Sequence, residues 1–253
     1  MDLNHFLLFV LVGFMAQIID GSLGMAYGVS SNALLLTLGV APAAASASVH
    51  TAEVFTTLVS GVSHLKLGNV DMSLVKKLAI PGVLGGVLGA YIISNVDSHL
   101  LKPIVAVYLL LMGVRILVRA FRKIQERDPE SFKALPMGIL GLAGGFCDAA
   151  GGGGWGPIVT TTLISQGTAP RKSIGSVNLT EFFVTFAESI TFFLTIGLVH
   201  WSIIAGLLVG GVFAAPLGAY FTKRIPMKPM MILVGCLIIL LNVRTLLQVF
   251  GIL

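Results

Sequence analysis

The second half of this 253-residue chain repeats the first at an offset of about 128 residues. Gly13, Asp20, Gly24 and Gly28 recur as Gly141, Asp148, Gly152 and Gly156. Gly39, Ala41 and Pro42 recur as Gly167, Ala169 and Pro170, and Ser48, Val49 and Glu53 recur as Ser176, Val177 and Glu181. After a one-residue slip, Leu88-Gly89-Ala90-Tyr91 returns as Leu217-Gly218-Ala219-Tyr220, and Arg115 returns as Arg244. Acids, prolines and a four-residue string do not return in fixed order by chance. The chain therefore reads as two copies of one unit, 1–121 and 136–253, joined by 122–135. Internal duplication of this kind is common in membrane transporters.

Each unit is made of apolar runs of about 20 residues, long enough to cross a hydrocarbon layer ~30 Å thick. Charged residues make up 11% of the chain, against about 25% in soluble domains, too few to coat a soluble surface of this size. The runs are continuous rather than alternating, which excludes a transmembrane barrel. The net charge of +5 comes from Lys and Arg lying between the runs, where topology signals belong. The partner implied is a lipid bilayer, with no nucleic acid. Cys147 and Cys236 each lie inside an apolar segment, and no Cys or His cluster has ligand spacing, so no disulfide framework, metal site or cofactor is expected. The N-terminus lacks a basic n-region and a small-residue cleavage site, and its first apolar run reads as mature protein.

Within each unit a Gly-interrupted stretch (5–39, 136–167) precedes three long helices, about 43–66, 73–94 and 99–121, then 171–196, 202–222 and 227–249. Charge sets their direction. The first turn of unit one carries no charge, the second carries Lys66, Lys76 and Lys77, and the third carries little. Unit two reverses this: Arg171 and Lys172 mark its first turn, the second has no Lys or Arg, and Lys223, Arg224 and Lys228 mark the third. Equivalent loops thus face opposite sides by the positive-inside rule, and the linker, with Arg122, Lys123, Arg127 and Lys133 after Arg119, is cytoplasmic. Inversion needs an odd number of crossings per unit, so the Gly-interrupted stretch enters and leaves on one side. The expected fold is an all-α polytopic membrane protein of the cell (inner) membrane. It has two inverted-topology repeats, each a re-entrant helix pair plus three transmembrane helices, with both termini outside the cytoplasm.

The re-entrant tips are the candidate substrate site. They read Asp20-Gly21-Ser22-Leu23-Gly24-Met25-Ala26-Tyr27-Gly28 and Asp148-Ala149-Ala150-Gly151-Gly152-Gly153-Gly154-Trp155-Gly156-Pro157. A glycine run breaks a helix, and the exposed backbone must then line a cavity or pack in protein. A helix restarting there aims free N–H groups and its positive dipole end at the break, which suits an anion. The substrate-binding candidates are Ser22, Gly24, Tyr27, Gly151, Gly152, Gly153, Gly154 and Trp155, with His50 and Asn178 as hydrogen-bond donors or as ordinary interhelical partners. Gly82, Gly85, Gly86 and Gly89 read as close-packing residues. Four acids lie at membrane depth, where an ionised group costs at least ~2.5 kcal/mol. Glu53 and Glu181 are coupling-proton candidates or structural clamps. Asp20 and Asp148 either share the proton role or cap free N–H groups. Arg115 and Arg244 read as snorkelling anchors.

The duplicated halves, the Gly-rich break from Asp148 to Pro157, and the Ala-Pro turn followed by Ser-Val-His/Asn and a Glu (Ala41 to Glu53, Ala169 to Glu181) together resemble the TauE/SafE sulfite exporter family. This family is also called the toluene-sulfonate uptake permeases. The resemblance covers nearly the whole chain. It implies a secondary transporter, an exporter, of sulfite, an organosulfonate or a related small sulfur oxyanion. An anion channel and a carrier of non-sulfur carboxylates are the alternatives. No nucleophile motif or phosphate loop is present, so an intramembrane enzyme and an ATP-driven pump are not expected.

Overall fold

A computed structural model describes residues 3–121, 135–197, 200–222, 224 and 226–253. Nearly all of the expected linker, including Arg122, Lys123, Arg127 and Lys133, lies outside the described residues, as does Lys223. Among the described residues every regular element is helical. The first unit contains α1 (Leu3–Leu23), α2 (Tyr27–Thr37), α3 (Pro42–Lys66), α4 (Met72–Ser94) and α5 (Ser98–Phe121). The second contains α6 (Met137–Gly151), α7 (Gly156–Ser165, opening with a π turn), α8 (Pro170–Thr195), α9 (Trp201–Phe221) and α10 (Met227–Val249).

The repeated Gly-x-Ala-Pro turn has a direct structural result. Gly39 (φ 88°) and Gly167 (φ 91°) end α2 and α7 in the left-handed region, which glycine enters without steric cost. Three residues on, Pro42 and Pro170 open α3 and α8, where the missing N–H is harmless and φ is already helical. Asp71 starts α4 by accepting the Ser73 N–H at 2.8 Å.

Among the described residues, six helices are long and apolar enough to cross a membrane: α1, α4, α5, α8, α9 and most of α10. The number matches the expectation, but the set differs. α3 has 25 residues and is not among the six, since its buried face carries Ser46, Ser48, His50, Glu53, Thr56, Thr57, Ser60 and His64. α1 is among them at 21 residues, longer than a short re-entrant arm. Its counterpart α6 has 15 residues, about 22 Å at 1.5 Å per residue.

Packing follows the repeat. α1 lies on α9 and α6 on α4; α3 lies on α9 and α8 on α4; α2 lies on α10 and the start of α7 on α5; α3 meets α8 and α5 meets α10. Exchanging the two units maps this set onto itself. The α1–α9 and α4–α6 seams are lined by glycines, so that the backbones touch. A Cβ at Gly141 would stand 2.9 Å from the Leu78 carbonyl oxygen, and one at Gly89 would stand 2.5 Å from that of Phe146. This is close packing through small residues, which brings helices together where lipid supplies no hydrophobic drive.

The connections gather in two groups. In one, Arg171 bonds Asn69 and the Leu67 carbonyl (2.8 Å), Lys172 bonds the Val70 carbonyl (3.0 Å), and the Lys228 ammonium lies 5.0 Å from the Phe121 ring centroid. In the other, Thr195 bonds Ser94 at 2.9 Å, and a cavity is lined by Gly39–Pro42, Ser98, His99, Lys102, Gln248 and Val249.

Candidate functional site

Both helix breaks fall at the middle of the fold and touch. α1 continues through Asp20–Leu23 and α6 through Asp148–Gly151. The aspartates therefore occupy the last turn of a helix rather than the break. The breaks proper are Gly24–Ala26 and Gly152–Gly154, with positive φ at Gly24 (67°), Ala26 (101°), Gly152 (74°) and Gly153 (137°). A Cβ on Gly28 would sit 2.9 Å from Gly153 Cα, and one on Gly156 would sit 2.5 Å from Met25 Cα. Since Gly28 answers to Gly156 and Met25 to Gly153, these are one contact made twice.

Two side chains that sequence reasoning misses lock the tips together. Thr160 Oγ1 donates to the Gly24 carbonyl at 2.7 Å, and Asn32 Nδ2 donates to the Gly152 carbonyl. Thr160 and Asn32 are 128 residues apart, as are the glycines they bond, so the repeat offset is the signal that could have found them. Tyr108 on α5 is missed as well. Its hydroxyl donates to the Gly153 carbonyl at 3.1 Å, and its ring fills the space beside Gly151 that a Cβ would need.

Asp148 caps the restarting α7, its Oδ1 accepting the N–H groups of Gly154 (2.7 Å) and Trp155 (2.9 Å), and the Asp20 carboxylate lies in the equivalent place, facing the N–H of Tyr27, the residue equivalent to Trp155. Asp20 Oδ2 and Asp148 Oδ2 are buried without a partner. A carboxylate therefore already holds the backbone donors that the sequence offers to an oxyanion.

α3 and α8 cross beside the tips and supply the remaining acids. His50 Nδ1 lies 2.7 Å from Glu53 Oε2 and 3.5 Å from Glu188 Oε2, and its Nε2 lies 3.2 Å from the Asp148 carbonyl oxygen. Its ring stacks on Phe192, with centroids 6.2 Å apart. Glu181 is buried near Asp20, Glu53, Asp148 and Glu188, and its Oε2 has no partner. Glu188, which the repeat does not single out because it has no acidic counterpart, is fully buried with both oxygens unbonded.

The other expected ligands are spent on the scaffold. Ser22 donates to the Ile18 (2.6 Å) and Gly218 (3.3 Å) carbonyls, Tyr27 donates to the Leu207 carbonyl (3.1 Å), and Trp155 Nε1 donates to the Val177 carbonyl (3.3 Å). Asn178 accepts from Ser60 Oγ at 2.7 Å and donates to the Ile174 carbonyl at 3.2 Å. Arg115 is more than an anchor. It donates to the Pro157 carbonyl (3.1 Å) and to Thr161 Oγ1 (2.9 Å), in the π turn where α7 restarts. Together with Arg119, Leu111, Val114, Thr161 and Ser165 it lines a cavity of about 300 Å³. Arg244 is exposed on α10.

Among the described residues, six helices long and apolar enough to cross a membrane, α1 with its break included, and two helix breaks that touch define a multi-pass membrane protein of the transporter class. The chain belongs to the family "Sulfite exporter TauE/SafE", which it matches over residues 9–245. It is 43% identical to the "Probable membrane transporter protein YtnM" of Bacillus subtilis (strain 168), over 97% of this chain and 84% of the relative. It is 29% identical to the "Probable membrane transporter protein YdhB" of the same organism, over 87% of this chain and 91% of that one. No solved structure matches the chain at a significant level.

Proposed function

We propose that this protein is a secondary carrier that exports sulfite, an organosulfonate or a related small sulfur oxyanion across the cell membrane, binding it at the paired helix breaks. The observation that carries this reading is Asp148. Its carboxylate sits on the N–H groups of Gly154 and Trp155 at 2.7 and 2.9 Å. A restarting helix end that holds one oxyanion has the field and the donors to hold another. The substrate oxyanion takes these donors when the Asp148 side chain gives them up. Glu53 and Glu181, beside the tips, are the further acids available for coupling. His50 and Asn178 act here by positioning other residues, because their polar atoms are already bonded.

The inverted arrangement is part of the same reading. It is supported by the two groups of connections: 67–71 with 171–172, and 94 with 195. Each group joins loops that are not equivalent in the repeat, as inversion requires, and the first carries the basic residues expected at the cytoplasm. Gly24, Gly152 and the acids beside them are all buried, which supports alternating access over an open channel.

A binding panel tests the substrate class. Purified protein is titrated with sulfite, sulfate, thiosulfate, sulfoacetate, taurine and carboxylate analogues, following thermal stability and calorimetric heat. Stabilisation by sulfite or a sulfonate is expected. Stabilisation by the carboxylates alone would overturn the assignment.

A further inference from the structure

We propose that Glu188 is a proton-binding site of this carrier, separate from the oxyanion site and loaded independently of the His50–Glu53 pair. The inference rests on counting protons among fixed partners. The Asp148 carbonyl can only accept, so His50 Nε2 carries a hydrogen. His50 Nδ1 and Glu53 Oε2 are 2.7 Å apart and share one more proton, as imidazolium–carboxylate or as imidazole–carboxylic acid. Either way the pair is neutral and both ring nitrogens are used. Glu188 Oε2, at 3.5 Å from Nδ1, is left at the outer limit of hydrogen bonding.

Among the described residues nothing else near Glu188 supplies a donor. Both of its oxygens are buried and unbonded. Its charged and titratable neighbours are His50 and Glu53 on α3, Asp148 on α6, and Glu181 on its own helix. On α4 it packs against Gly86, where an added Cβ would lie 2.5 Å from Oε1. An ionised carboxylate so placed is held against a large desolvation cost. One proton delivered from water as hydronium, whose O–H bond breaks as one forms on Glu188 to leave a water molecule, removes that cost. A metal ion is a poorer fit. The donor atoms of His50, Asp148 and Glu188 lie within 4.8 Å of one another, but an ion would have to tear His50 from Glu53 or from the Asp148 carbonyl.

The repeat supplies an internal control. The residue equivalent to Glu188 is Ser60, and the residue equivalent to His50 is Asn178. Ser60 Oγ donates to Asn178 Oδ1 at 2.7 Å, so the same α3–α8 contact is made on the other side by a neutral pair. Packing at this crossing does not call for an acid. The ionisable version stands only where His50 also holds the Asp148 carbonyl, the group that accepts the Gly152 and Gly153 N–H groups at the second tip. Loading and unloading Glu188 therefore acts on the tip that the proposed function assigns to the anion, and the coupling part of the inference rests on that assignment.

Two measurements separate the ideas. Infrared difference spectra of the full chain in lipid, recorded across pH, report protonated carboxyl groups without any substrate. One carboxylic-acid component is expected to be missing in Glu188→Gln, to persist in Glu181→Gln, and to be shifted in Glu188→Asp, which keeps an acid if the glutamine variant does not fold. Spectra of the Gln and Asp variants identical to the parent would overturn the proposal. So would loss of that component, with a gain in thermal stability, on adding zinc. In proteoliposomes Glu188→Gln should keep sulfite counterflow and lose accumulation driven by a pH gradient at least tenfold. Undiminished accumulation would overturn the coupling role, whereas absence of sulfite counterflow in the parent would sink the substrate reading and leave the infrared result standing.

Discussion

Thr160 on α7 donates its hydroxyl to the Gly24 carbonyl at 2.7 Å, and so ties the helix restart of the second unit to the break of the first. Asn32 on α2 makes the reciprocal bond to Gly152. These two bonds take up the carbonyls of the two left-handed glycines, groups that a helix break would otherwise leave unpaired in a dry interior.

Removing either donor leaves a buried carbonyl unsatisfied, at about 1–3 kcal/mol. Asn32→Ala and Thr160→Val should each lower the melting temperature of the detergent-solubilised protein. Both bonds hold the same pair of tips, so the double variant should be non-additive, with a coupling of about 0.5–3 kcal/mol. Strict additivity would mean that the tips do not act as one unit.

Glycine is required at the second tip for two separable reasons. Gly152 has φ 74°, and an added Cβ would lie 2.8 Å from Asn32 Cγ. Gly167 has φ 91° but nothing within 4 Å. Gly167→Ala should therefore cost only the left-handed backbone term, about 1–2 kcal/mol, whereas Gly152→Ala adds a clash and Gly152→Val a larger one. Thermal denaturation of the three variants should rank them in that order. Equal losses at 152 and 167 would show that Asn32 yields freely.

The 128-residue repeat makes the two breaks and the equivalence of Glu53 with Glu181 legible from residue identities alone. It hides what depends on unlike residues at equivalent places. Asn32 and Thr160 perform one task with different side chains, and His50–Glu188 and Asn178–Ser60 occupy one crossing with different chemistry. Pattern matching on identity passes over both. The first break is also displaced from the glycine nearest the acid: α1 runs past Gly21 and turns at Gly24 and Ala26. Alanine is the best helix former, so nothing local marks Ala26 as left-handed. The length of α1 is illegible for a related reason, because a glycine inside a packed seam looks in sequence like a glycine that ends a helix.

Topology can be read by labelling single cysteines in intact cells. Cysteines at Lys76 and Arg224 should react only after the cytoplasmic face is opened, and those at His99, Gly197 and Ile252 should react from outside. Arg171 and Lys172 bond the Leu67–Val70 connection, so a cysteine at Gly68 should behave as one at Lys76 does. Labelling of Gly197 from the cytoplasmic side alone would rule out the inverted arrangement.

Asp148 tests whether the tip is an anion site or only a capped helix end. As a carboxylate it holds the Gly154 and Trp155 N–H groups by charge-assisted bonds, worth about 1.5–3 kcal/mol each against about 0.5–1.5 for neutral ones. Asp148→Asn keeps an acceptor oxygen of the same reach and removes the charge. If substrate competes with this side chain for the donors, the weaker amide should be displaced more easily. Affinity for sulfite-type anions should then rise roughly tenfold, the equivalent of about 1.4 kcal/mol. Asp20→Asn should have the smaller effect, because Asp148 accepts two backbone N–H groups of its tip whereas Asp20 faces that of Tyr27. A lower melting temperature with unchanged affinity would assign Asp148 to capping alone, and the anion would then have to bind away from the Gly154–Trp155 donors.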